Sequence, residues 1–278
     1  MLDSTAARAF RAPEGVVQAA LVLMRAALLV YAAGFVTALA AVLREGTRAA
    51  RWTPRFAAAG ALFHTAGMLA MGWGLGRCPL GTLPEVLGAL SWVAVLIYLF
   101  VWWRHRVEVL HLVVLPLAMI VLMVAKLLPD ELIPVGPSMQ PSLLRFHLGA
   151  IILGVGALFV TFAASLVYLI VDRALKAKRP ARYFRSLPSL AGCDRMGRLS
   201  LLWAFPLLTF GIVTGAIVND AKYGTPWAWH ANETLSILAW LLLAVVVVAR
   251  IGWGWRGRKP ALLTLLGFGL VFLRMFGV

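Results

Sequence analysis

The chain has 278 residues, 62% of them hydrophobic and only 13% charged, with a formal net charge of +15. A mean hydropathy of +0.89 is more than a soluble core of this size needs, which excludes an ordinary water-soluble domain. The basic excess would require nucleic acid only if it formed one surface patch, and it is instead divided among alternate connections between apolar runs.

The Met1–Glu14 tail has no leading basic cluster followed by a small-residue cleavage site and does not read as a signal peptide. Nearly uncharged runs follow at roughly 26–43, 56–73, 84–103, 108–128, 146–171, 199–218, 234–249 and 260–276. Each is long enough to cross a bilayer as a helix, and none alternates as a barrel strand would. The expected fold is therefore an all-α polytopic membrane protein, one integral domain of about eight transmembrane helices.

In the second run, His64 lies about ten residues from the cytoplasmic end, so about 15 Å into the membrane. An ionisable group at that depth faces a cavity or bonds to a neighbouring helix. Glu85 opens the third run and reads either as a site residue or as a carboxylate stabilised by the helix dipole. His105, in Trp-Trp-Arg-His-Arg, and His111 flank the start of the fourth run and read as interfacial or packing residues. His147, in Arg145-Phe-His147-Leu-Gly-Ala, opens the fifth run at the opposite surface, where it is either a ligand or an interfacial anchor.

Charge orients these runs. Residues 44–55 carry +3, residues 104–108 +1, residues 172–198 +6 and residues 250–259 +4, together +14 of the +15. The positive-inside rule places those four connections in the cytoplasm and both termini outside. The 172–198 segment is too short for a domain but basic enough to bind anionic lipid or a cytoplasmic protein. In this topology Cys78 and Cys193 fall on opposite sides and cannot pair. The chain has no CxxC, P-loop, GxGxxG before a helix, or HExxH.

Between the sixth and seventh runs lies Tyr223-Gly-Thr-Pro-Trp227-Ala-Trp229-His230-Ala-Asn-Glu233-Thr, within an outer tryptophan-rich loop at 219–233. Two indoles at i and i+2, an imidazole and a carboxylate form a platform suited to a flat, aromatic, metal-bearing ligand at the membrane surface. The alternatives are an ordinary aromatic belt for Trp227 and Trp229 and a plain loop role for His230.

The strip, with Gly215 before it and Ala239-Trp240 after it, resembles the tryptophan-rich segment of the cytochrome c assembly superfamily, in its CcsA/HemX-like branch. Upstream, Phe63-His64-Thr-Ala-Gly, Pro79-Leu-Gly-Thr-Leu-Pro-Glu85 with Ser91-Trp92, and Phe146-His147-Leu-Gly are similar to further stretches of that branch, in the same order. Arg256-Gly-Arg-Lys and Gly267-Phe268 resemble its last basic connection and span.

The resemblance implies haem, expected as haem b, handled at the outer face in cytochrome c maturation or haem homeostasis. It implies a bacterial inner-membrane location and a partner such as an apocytochrome c or another assembly factor. The binding residues expected with it are His147, Trp227, Trp229, His64, Tyr223 and Glu233, with His147 and His64 as metal ligands; His230 is expected from its position alone as the opposing metal ligand, and Arg145 or Lys222 from their charge at the outer interface as partners of the propionates. The branch's Asp position is His230 here, its Pro-Lys is Ala231-Asn232 and its first Trp is Tyr223. A HemX-like role, in which the membrane protein controls glutamyl-tRNA reductase, is a second implication. A small-molecule transporter using His64 is a third reading. A self-contained enzyme is not expected.

Overall fold

The computed structural model describes residues 14–43, 51–105, 110–129, 141–178, 189–227 and 229–275. Among them are eight α-helices: α1 (Glu14–Leu43), α2 (Thr53–Leu75), α3 (Leu83–His105), α4 (His111–Leu127), α5 (Pro141–Lys176), α6 (Leu190–Tyr223), α7 (Ala231–Gly252) and α8 (Arg258–Met275). Six of them, α1 to α3 and α5 to α7, are long and apolar enough to cross a membrane. Helix α4 is apolar but has 17 residues, short of the roughly 20 that a bilayer asks for. Helix α8 has 18 residues and carries Arg258, Lys259 and Arg274.

Large aliphatic and aromatic side chains point outward along these helices. Leu29 is 70% exposed, Leu62 72% and Phe100 63%. Such faces would be a liability in water and are ordinary against lipid tails. The helices also run past the apolar windows of the sequence. Helix α1 starts at Glu14, and the ends of α5 and α6 take up 172–176 and 190–198 of the basic segment, while Arg179, Arg182 and Arg185 lie outside the described residues.

Helix ends follow local chemistry. At the start of α3, Thr82 and Glu85 form a capping box. The Glu85 amide donates to Thr82 Oγ1 (3.3 Å), and Glu85 Oε2 accepts from the Thr82 amide (3.2 Å). The same carboxylate receives a bidentate pair from Arg77 at 2.8 Å for each bond, which holds the Arg77 guanidinium above its usual range. Glu85 is therefore the helix-terminal carboxylate that its position allowed. Ser189 caps α6 by accepting from the Gly192 amide at 3.0 Å. Helices α2 and α6 end in Gly76 (φ +61°) and Gly224 (φ +69°), the left-handed conformation that glycine adopts without strain.

The chain divides into two compact units. The first comprises residues 1–99 and 115–133 and centres on the α1–α2 pair. There Gly60 lets the Tyr31 ring lie where a Cβ would meet it at 2.5 Å. Tyr31 in turn faces His64, its hydroxyl 3.4 Å from Nδ1. His64 is fully buried, and its Nε2 has no hydrogen-bond partner. The imidazole thus both bonds to a neighbouring helix and keeps one nitrogen unengaged. Both cysteines are free, Cys78 exposed and Cys193 buried.

The second unit comprises residues 100–114 and 134–278. In it α5 packs along α6, and α8 lies against both α5 and α7. At one end, Asp194 on α6 joins three elements. Its Oδ1 accepts from Arg250 on α7 at 3.1 Å and from the Gly257 amide at 3.2 Å. The Arg250 side chain is only 2% exposed. This pair draws one residue from each of two basic segments, so the ends that carry them lie together.

Candidate functional site

At the other end of this second unit, α5, α6, α7 and α8 enclose a cavity of about 280 Å³. Its deeper wall is apolar: Ile151 and Val155 from α5, Leu208 from α6, Leu243 from α7 and Val271 from α8. Its polar groups gather toward the α6–α7 connection, where His147, Asn219, Glu233 and Arg274 enter from four different helices and Trp227 from the connection itself. From His147 to Val155 is two turns of α5, about 12 Å. The cavity is therefore polar at one end and apolar over most of its depth.

The sequence explains this convergence. Gly211-Ile-Val-Thr-Gly215 puts two small residues on one face of α6, four apart, and lets α5 approach closely. A Cβ at Gly211 would lie 2.9 Å from Ile151 Cγ1, and one at Gly215 would lie 3.2 Å from His147 Cε1. The residue between them that matters is Thr214. Its hydroxyl donates to the Phe210 carbonyl at 2.7 Å, one turn back on α6. Its oxygen lies 2.8 Å from His147 Nδ1. The Gly211 carbonyl lies 3.2 Å from the same hydroxyl, so acceptors of α6 itself are in place for its proton, and with the proton so placed Nδ1 is the donor to Thr214. That selects the tautomer in which Nε2 carries the ring's available lone pair.

The same device recurs on this helix. Thr209 donates to the Phe205 carbonyl (2.8 Å) and accepts from Trp240 Nε1 (2.9 Å), while the Trp240 ring stacks on Phe205 at 5.5 Å. It also appears in the first unit, where Thr65 donates to Ala61 and accepts from Trp92 Nε1 at 2.8 Å. A threonine satisfied by its own helix thereby becomes an acceptor aimed at a ring N–H on the next one.

Of the residues expected at a site, the structure brings His147, Trp227 and Glu233 into one cavity. Glu233, in the first turn of α7, accepts from Asn219 Nδ2 on α6. Trp227 Nε1 is buried without a partner. Trp229 contacts Trp227 edge to face, with ring centroids 6.2 Å apart, but is 72% exposed and does not line the cavity. It has φ +57°, an uncommon conformation for a bulky residue. His230 is exposed and caps α7 with its backbone, not its side chain. His64 belongs to the first unit and is not among the lining residues. The side chains of Arg145, Lys222 and Tyr223 lie outside the described residues.

Thr214, Asn219 and Arg274 are not among the residues that the sequence singles out. Arg274 is a cation inside the last apolar run, a signal that an intramembrane charge always carries. It lines the same cavity as His147. Its Nε is buried without a hydrogen bond, and it pairs with no carboxylate among the described residues.

The residues fit haem. An imidazole with a fixed tautomer offers Nε2 to a metal, an indole borders the same space, and the remaining wall is apolar. Among the described residues no cluster of three His, Cys, Asp or Glu exists that would hold a bare metal ion. At about 280 Å³ the cavity is near the lower end of small-molecule sites. A macrocycle would enter it by one edge only.

Comparison with known proteins follows the same line. The profile of the family described as Cytochrome C assembly protein matches residues 80–278. The cytochrome c biogenesis protein CcsA of Guillardia theta is 27% identical over 222 residues, 73% of this chain and 74% of that protein. CcsA of Synechococcus sp. (strain JA-2-3B'a(2-13)) is 29% identical over 279 residues, covering 79% and 80%. Among solved structures, the cytochrome c haem lyase CcmF superposes with a TM-score of 0.71 at 18% identity. That likeness is one of fold; it covers 94% of this chain but only 46% of the other, so the chain spans less than half the length of that protein.

Proposed function

Because the chain belongs to the cytochrome c assembly protein family, we propose that this multi-pass membrane protein binds haem in the α5–α8 cavity and presents it for cytochrome c maturation. The observation that supports this reading is the His147–Thr214 bond of 2.8 Å, which engages Nδ1 and leaves Nε2 for a ligand in the cavity that Trp227 also lines. Haem iron accepts such an imidazole as an axial ligand. Thr214 orients the ring, Gly215 gives it room, Trp227 offers a face for stacking, and the apolar wall excludes water from the buried edge. Non-covalently held haem b is the expected form, and the acceptor is an apocytochrome c or another assembly factor. His64, buried with Nε2 unengaged, is a second candidate imidazole in its own unit.

We place the cavity at the outer face of a bacterial inner membrane. The basic segments 172–198 and 250–259 supply +6 and +4 of the net charge, and the Asp194–Arg250 pair gathers them at the end of the second unit remote from His147. Impermeant thiol reagents on single cysteines in 172–198 and 224–230 check this: outward labelling of the former reverses the assignment.

The decisive experiment is the absorption spectrum of purified protein, oxidised and reduced. The parent shows a Soret band. His147→Ala lowers haem content several-fold or shifts the band, and added imidazole restores part of it. A variant with unchanged haem content and spectrum removes His147 from the site.

A further inference from the structure

Two buried nitrogen donors border the same cavity without a partner: Arg274 Nε from α8 and Trp227 Nε1 from the α6–α7 connection. A buried donor left unmade costs about 1–3 kcal/mol, and a buried charge without a counter-ion costs more. An acceptor on a ligand in the cavity would meet both. Glu233, the acidic residue of the described lining, is engaged by Asn219 across the α6–α7 wall. Arg274 stands on α8 and pairs with no carboxylate among the described residues. Both orphan donors sit toward the polar end of a cavity whose depth is lined by Ile151, Val155, Leu208, Leu243 and Val271.

We propose that Arg274, with the Trp227 indole N–H, is the carboxylate-recognition subsite of this cavity, and that it selects an amphipathic ligand carrying a carboxylate at one edge and an apolar body at the other. The guanidinium supplies a cation with several donors in one plane, which suits a carboxylate better than an ester or amide. The indole adds one neutral donor. The apolar wall takes the opposite edge, so the pair fixes which edge of the ligand faces outward. This rests on the haem reading and deepens it: the carboxylates concerned are the propionates, and Arg274 orients the macrocycle against His147.

The test uses the purified full chain, with haem and haem dimethyl ester as probes. The ester keeps the iron and the ring but has no carboxylate. The parent is expected to bind haem at least about tenfold more tightly than the ester, the scale of a charge-assisted hydrogen-bonded pair. Arg274→Gln should abolish that preference while its affinity for the ester stays within about twofold of the parent's. Arg274→Lys, which keeps the charge, should retain part of the preference, and Trp227→Phe should reduce it. A parent that binds both probes equally overturns the proposal and leaves the haem reading standing, and this arm holds even if Arg274→Gln does not accumulate. An unchanged preference in Arg274→Gln also overturns it. A parent that binds neither probe overturns both readings.

Discussion

His147 Nδ1 and Thr214 Oγ1 lie 2.8 Å apart, and the Thr214 hydroxyl has the Phe210 and Gly211 carbonyls of its own helix to donate to, at 2.7 and 3.2 Å. The imidazole is therefore oriented by α6 while it belongs to α5. Removing the acceptor without changing the shape tests this: Thr214→Val leaves the His147 N–H unmet. The cost of about 1–3 kcal/mol predicts a loss of about tenfold in haem affinity and a broadened or shifted Soret band, with expression little altered. Thr214→Ser keeps the oxygen and should bind like the parent. If Thr214→Val also binds like the parent, the hydroxyl does not orient the ring.

Much of this arrangement can be read from the residues alone. The apolar runs locate the helix cores, and the family resemblance points to His147, Trp227 and Glu233, which share the cavity. What escapes is what averages hide. One arginine in an apolar run of α8 barely changes its hydropathy, and Thr214 looks like any small polar residue in a membrane helix, since its value lies in a partner 67 positions away. Adjacency in sequence does not make Trp229 and His230 part of the cavity lining. The backbone at Trp229 takes φ +57°, and neither side chain lines the cavity, although the Trp229 ring meets Trp227 edge to face. The start of α6 escapes too, because the polar and basic residues from 190 to 198 mask a helix capped by Ser189.

The Asp194–Arg250 pair makes a prediction about stability alone. The Arg250 side chain is 2% exposed and leans on one carboxylate that also receives the Gly257 amide. Asp194→Ala leaves a buried guanidinium without its counter-ion, which costs about 3–5 kcal/mol. Thermal unfolding in detergent should show a clear drop in midpoint. Replacing both residues by apolar ones, Asp194→Leu with Arg250→Met, should recover much of the loss, because the desolvated charge is gone as well. A double variant as unstable as Asp194→Ala would mean that Gly257 and the α7–α8 connection, not the buried charge, set the cost.

The two tryptophans of the strip should differ, although they are two residues apart. Trp227 lines the cavity and buries its indole nitrogen; Trp229 is 72% exposed and touches Trp227 only edge to face at 6.2 Å. Trp227→Ala removes a wall of the site and a stacking surface worth about 0.5–1.5 kcal/mol beyond burial, so haem affinity should fall by about tenfold or more. Trp229→Ala should change it by no more than about threefold, the effect of losing one aromatic edge contact. Trp229→Gly adds a second reading, since glycine accepts φ +57° without the penalty of about 1 kcal/mol that a side chain pays there. It should leave haem binding near that of Trp229→Ala and leave thermal stability equal or slightly higher. Equal losses from Trp227→Ala and Trp229→Ala would mean that the haem lies across the whole strip at the surface and not at the α5–α8 cavity.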